Sequence, residues 1–245
     1  MEWLTLTSEE LEKVIQQNLP AILPLGSIEK HGQHLPVGTD SLIGYKVACL
    51  AAKRESVIVM PPLHYTSVSV THTFPGGISI RADLLLKLLE NICDEIYRNG
   101  IKKIIIFNAH GGNISLVKTF ARYSLEMHKP YLLFLVEPWA LMEKEIKKVK
   151  ESKNIGHACE IETSLMLYLY SNLVKKDKIR RARPPLKFDI KPAQIETEWK
   201  VTLPDGFIGD PSKASKEKGE KLIKAWVDNF ADLISRIKKV KVQPF

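Results

Sequence analysis

Glu29, His31, His34 and Asp40 can each bind a metal ion or carry a proton. All four lie in one stretch of this 245-residue chain, Pro-Leu-Gly-Ser-Ile-Glu-Lys-His-Gly-Gln-His-Leu-Pro-Val-Gly-Thr-Asp at 24–40. Imidazole suits zinc, iron or manganese, and carboxylates suit harder divalent ions. A carboxylate can also bridge two ions, and a two-ion site activates water for hydrolysis. The alternative is a polar loop whose carboxylates cap turns and whose histidines face water. Two further clusters weigh against it: Asn-Ala-His-Gly-Gly-Asn at 108–113, centred on His110, and Gly-His-Ala-Cys-Glu-Ile-Glu-Thr-Ser at 156–164, with His157.

The elements that must position these groups follow from periodicity. Short apolar runs at 21–25, 57–60, 101–107 and 131–136 read as strands. Amphipathic stretches at 41–53, 83–98, 114–127 and 160–171 read as helices, and 212–238 contains a long one. Thr7 and Glu10 form a capping box that opens a helix at the amino end. Strands alternating with helices predict a mostly parallel sheet covered on both faces, a three-layer α/β/α fold, in one domain over 1–245. The Pro-rich segment 178–211 reads as an irregular excursion.

In open parallel sheets, ligands bind outside the carboxyl ends of the strands. Five of the seven histidines, His31, His34, His64, His72 and His110, fall in predicted strand-exit loops, so the histidines mark one edge of the sheet. The fourth exit supplies Glu137, Pro138 and Trp139, read as loop. Glu160 and Glu162 are two apart on a predicted helix and point about 200° apart, so only one can face the site. His34 and His64 read as hydrogen-bonding residues, and Cys159 as a candidate nucleophile that the carboxylates and imidazoles make unnecessary.

The bulk numbers exclude other classes. The charge is +8, scattered over the chain with one cluster at 175–183, and no aromatic-interleaved basic stripe suggests nucleic acid. An anionic substrate stays open. No apolar run approaches a membrane span, the amino end resembles no secretory signal, and three scattered cysteines form no disulfide framework, so the expected location is the cytoplasm.

Taken together, the clusters resemble the creatininase family. The quoted residues are Gly26–Asp40, Ser-Val-Thr-His-Thr-Phe-Pro-Gly at 69–76, 108–113, 157–164 and Gly-Asp-Pro-Ser-Lys-Ala-Ser-Lys-Glu-Lys-Gly at 209–219. The resemblance implies a three-layer fold, a homo-oligomer such as a hexamer, a small-molecule substrate and two divalent ions per subunit, zinc first with manganese or iron as alternatives. It implies Glu29, Asp40 and His110 around one ion, and His31 and Asp40 around the other, with Asp40 shared. Creatininase proper has a ligand glutamate where this chain has Gly112, so Glu162 is the expected substitute and Glu160 the fallback. The leaving nitrogen of an amide needs a proton donor, and His157 is the expected general acid because an imidazole titrates near the working range; Ser69, His72, Gly111 and Trp139 are expected against the substrate. Tyrosine and tryptophan of the creatinine pocket are replaced by Gly111 and Lys153. The expected reaction is therefore hydrolysis of an amide, cyclic amide or formamide C–N bond by a metal-activated water, with creatinine a poor substrate. A lactonase, isomerase or peptidase on the same site is the alternative.

Overall fold

The computed structural model describes residues 1–186, 188, 190–193 and 195–241. Residues 187, 189 and 194 of the predicted excursion, and 242–245, lie outside the described residues. In chain order the main elements are α1 (Ser8–Ile15), β1 (Ala21–Leu25), α2 (Thr39–Ala51), β2 (Ile58–Val59), α3 (Ala82–Arg98), β3 (Lys103–Asn108), α4 (Ile114–Glu126), β4 (Leu132–Val136), α5 (Pro138–Val149), α6 (Glu160–Leu169), α7 (Trp199–Thr202) and α8 (Lys216–Lys239).

Among the described residues the strands form one parallel sheet in the order β2-β1-β3-β4. The chain leaves β1 to one side for β2, then crosses to the other side for β3. The switch of direction falls between β1 and β3, whose ends are in register at Leu25 and Asn108. Loops leaving those two strands diverge and open a crevice at the carboxyl edge. This topology brings 26–40 and 109–113 together.

Alternation along the strands sorts the core into two layers. Ala21, Leu23, Ile104 and Ile106 pack against Val14 of α1, Leu85 and Leu89 of α3, and Phe120 of α4. Ile22, Ile105 and Phe107 face α2, α5, α6 and α8, where Phe107 stacks on Phe230 at 4.5 Å between centroids. Each such fully buried side chain contributes about 1.5–3 kcal/mol. The close crossing of α6 and α8 requires Gly219, because a Cβ there would lie 2.0 Å from the Ser164 carbonyl oxygen.

Two helices depart from the sequence expectation. The segment after β4, read as loop, is α5. Pro138 sits at its first position, where a missing N–H costs nothing, and Met142 and Ile146 supply a buried face one turn apart. Within the excursion, Trp199–Thr202 forms the short α7. The start of α2 at Thr39 places Asp40 in a first helical turn, where the dipole favours a carboxylate.

Candidate metal centre

Glu29 and His31 follow β1, Asp40 opens α2, His110 follows β3, and Glu162 lies in the first turn of α6. All five are buried, with Glu29 1% and His31 0% exposed. They form overlapping donor sets. Glu29, Asp40 and His110 offer three atoms within 4.8 Å of one another, and so do His31, Asp40 and Glu162. Asp40 belongs to both: its Oδ1 lies 3.0 Å from His31 Nε2 and its Oδ2 2.9 Å from His110 Nδ1. A third set joins Glu29, His31 and His157.

The surrounding hydrogen bonds fix how each donor is presented. His110 Nε2–H donates to the Ser67 carbonyl at 3.1 Å, leaving Nδ1 to face Glu29 Oε1 at 3.0 Å and Asp40. His31 Nδ1–H faces the Glu29 carbonyl at 3.2 Å, leaving Nε2 toward Asp40. Thr71 Oγ1–H donates to Glu29 Oε2 at 2.5 Å, and Ser27 Oγ–H to Asp40 Oδ2 at 2.9 Å. Glu29 Oε1 is buried with no hydrogen-bond partner. Its neighbours are two imidazoles, His110 Nδ1 at 3.0 Å and His157 Nδ1 at 3.6 Å, neither aligned to satisfy it fully. The donor chemistry and this orphan oxygen fit divalent cations.

Without ions, the charges settle as protons. Burial works to lower His31, but the Asp40 carboxylate outweighs it and holds the ring up at about 9. His110 is likewise penalised by burial and is raised by Asp40 and Glu29 to about 10. Asp40 resists its own burial through His31 and His110 and stays well below the usual carboxylate range. Glu162 is raised by burial to about 8. His157 is lowered to about 4 by burial and then by the neighbouring His31 cation, its ring centroid 4.1 Å away. The sequence reading expected an imidazole near the working range; in metal-free protein burial and the His31 cation keep this ring neutral near pH 7.

The two glutamates of α6 face different surroundings. Glu162 sits with His31 and Asp40, and its Oε2 accepts from the Ala158 N–H. Glu160 points away and accepts from the Glu151 and Ser152 N–H groups, at 3.0 and 2.7 Å, and from the Lys218 ammonium at 2.5 Å. Cys159 caps α6 through its sulfur, and burial raises its thiol to about 11, which removes it as a nucleophile.

A cavity of about 730 Å³ lies over the cluster, within the ordinary range for small-molecule sites. Ser69, Gly111, Trp139 and His157 line it. His72 does not line it. Its ring is exposed and turned back onto the Ser69 carbonyl at 2.5 Å, so it shapes the turn that carries Ser69. His34 is a core residue bonded to Thr163 Oγ1 at 2.9 Å, and His64 is exposed and outside the lining. Sequence reasoning missed Trp199, which lines the cavity edge-on to His157 at 5.0 Å between ring centroids. It lies in an aperiodic segment that carried no signal. Ser27 and Thr71 fall inside quoted motifs, but nothing marked them as carboxylate donors.

No helix among the described residues is long and apolar enough to cross a membrane. A family model described as creatinine amidohydrolase matches residues 4–234. The chain is 30% identical to creatinine amidohydrolase of Pseudomonas putida, over 94% of each chain. It is 32% identical to a 2-amino-5-formylamino-6-ribosylaminopyrimidin-4(3H)-one 5'-monophosphate deformylase of Methanococcus maripaludis, over 88% of this chain and 90% of that one. It is 26% identical to a mycofactocin precursor peptide peptidase of Mycolicibacterium smegmatis, over 95% and 90%. A crystal structure of creatinine amidohydrolase superposes with a TM-score of 0.87 at 25% identity over 98% of both chains, and similar structures include a manganese creatininase and a zinc–zinc form of a mutant. With the matching fold, the buried donor cluster and this coverage, the chain belongs to the creatininase family and is a metal-binding amidohydrolase of that family.

Proposed function

We propose that the enzyme hydrolyses a non-peptide C–N bond, that of an amide, cyclic amide or formamide, at a site holding two divalent ions. The observation that carries this reading is Asp40, one carboxylate whose two oxygens turn to two different histidines in two different donor sets. On this reading Glu29, Asp40 and His110 hold one ion, and His31, Asp40 and Glu162 the other. Zinc is the first choice, with manganese or iron as alternatives. Two such ions against three carboxylates would leave the site net positive, able to lower the pKa of a water and polarise a carbonyl.

The chain's own residues do the rest. Thr71 and Ser27 hold the Glu29 and Asp40 carboxylates in place, so the donors need no rearrangement. Gly112 leaves room for the His110 ring, since a Cβ there would lie 2.4 Å from Nε2. Ser69 and Gly111 face the substrate space. His157 Nε2–H donates to the Lys30 carbonyl at 2.6 Å, so Nδ1 is the nitrogen left for chemistry, 3.6 Å from Glu29 Oε1. On this reading Nδ1 takes the proton released by the attacking water and passes it to the departing nitrogen, which makes the amine a competent leaving group.

The test is a panel of formamides, cyclic amides, lactones and short peptides offered to metal-reconstituted protein. Turnover led by formamides or cyclic amides supports the reading. Turnover led by peptides would favour the second reading, which the similarity to a peptidase motivates, and turnover led by lactones would point to an esterase at the same site. Homo-hexamer assembly is part of the proposal and is read by light scattering.

A further inference from the structure

The wall of the cavity beyond the donor cluster has a definite chemistry. Trp139 of α5 is braced against Trp226, 6.2 Å between centroids, and the backbone N–H of Trp199 in α7 donates to the Val70 carbonyl at 2.8 Å. Ile146, Ile155 and Ile208 extend the apolar surface. Among the described residues that line the cavity there is no lysine or arginine, and the ionisable groups outside the five donors are His157, Glu196 and the buried Cys159 thiol.

Nearby cations have other partners. Arg183 holds Asp205 with its Nε at 3.1 Å and an Nη at 2.9 Å, and Arg180 lies 3.6 Å from the same carboxylate. The Lys30 ammonium sits 4.4 Å above the Phe74 ring. Lys153, where creatininase has a pocket tryptophan, is exposed and outside the lining. The basic cluster at 175–183, which left an anionic substrate open on sequence alone, therefore does not reach the substrate space among the described residues.

We infer that the site takes a substrate whose non-reacting part is a flat apolar ring, neutral or cationic, held by Trp139 and Trp199, and that it rejects phosphorylated and other anionic bodies. Indole faces attract rings and cations. A phosphate placed against them loses its water and meets no lysine or arginine among the described lining residues, while Glu196 repels it. Trp199 is thus a specificity-determining residue, supplied from the excursion at a position the sequence motifs do not mark. The inference rests on the hydrolase reading above.

The experiment uses the full-length, metal-loaded protein and three matched probes: N-formylaniline, its para-trimethylammonium derivative and its para-phosphonate. Binding is measured by calorimetry and turnover by formate release. The neutral and cationic probes should bind at least about tenfold more tightly than the phosphonate, a difference equivalent to about 1.4 kcal/mol. Trp199→Ala should weaken the ring probes about 3–10-fold, from the usual worth of an aromatic pair, with Trp199→Phe recovering most of it and ring-free formamide showing no such loss. Glu196→Gln should lower the preference for the cationic over the neutral probe. Equal or tighter binding of the phosphonate, or wild-type ring binding by Trp199→Ala, would overturn the inference. Formate release in the opposite charge order would overturn it and leave the hydrolase reading standing. The expected binding order with no formate release would do the reverse.

Discussion

Replacing Glu160 or Glu162 by glutamine, each in turn, should move metal content and stability in opposite ways. Glu160→Gln removes the charge that Lys218 meets in the core. Breaking a buried ion pair costs about 3–5 kcal/mol, but Lys218 keeps Glu151 at 2.6 Å and the Lys213 carbonyl at 2.8 Å, and it remains 15% exposed. We therefore expect a loss of about 2–3 kcal/mol, or about 4–12 °C in melting temperature at this chain length. Burial opposes the Glu160 charge, and Lys218 and the Ser152 N–H outweigh that and hold its pKa below the ordinary 4.5. Its contribution is thus present above pH 4.5 and lost as pH falls through the lowered value, so the two proteins converge in acid. Glu162 has the opposite sign. Its folded pKa of about 8 lies above the unfolded 4.5, so in metal-free protein its ionisation opposes folding as pH rises through that window. Glu162→Gln, which mimics the neutral acid, should make metal-free protein more stable than wild type near pH 8–9 and should remove about half the bound metal. Thermal melts with and without a chelator, paired with elemental analysis, read all of this. Metal loss in Glu160→Gln with full retention in Glu162→Gln would refute the assignment.

His157→Ala should keep its metal but lose about 10²–10⁴ in rate, with a smaller loss for anilides whose leaving amine is activated; metal loss, or an equal rate loss across leaving groups, would end its role as proton carrier. Creatinine should turn over poorly because Gly111, Gly112 and Lys153 stand where creatininase builds its pocket, and a catalytic constant above roughly 10 per second, the median for enzymes, would contradict this. Metal entry near pH 7 should release about three protons, from His31, His110 and Glu162, which hold them to about 9, 10 and 8. The number should fall as pH rises through those values, and calorimetry in buffers of different ionisation enthalpy counts it; zero release at pH 7 would contradict the donor set.

Much of this architecture was legible in the residues. Ile104, Ile105 and Ile106 are apolar on consecutive positions, as a strand covered on both faces requires, and β3 is that strand. The donors Glu29, His31 and His110 were visible because strand exits converge at a switch point, so sequence order translates into proximity. The parallel argument failed for His72, since a loop can turn a side chain back on its own backbone, as the Ser69 carbonyl does here. The helix α5 was missed because the loop reading of Glu137–Trp139 hid Pro138 as a helix start. Helical geometry alone showed that Glu160 and Glu162 diverge, but which of them faced the site depended on Lys218, distant in sequence. Trp199 was beyond reach because α7 is held by tertiary contact with Val70 and carries no periodicity.

The central claim is that one carboxylate, Asp40, serves two ions. Elemental analysis of wild type and Asp40→Ala, each stripped with chelator and reloaded with zinc, tests it most directly, with circular dichroism to establish that the variant is folded. Close to two ions per wild-type chain, and loss of most of both in the variant, are expected. A folded Asp40→Ala protein that still binds two ions would contradict it.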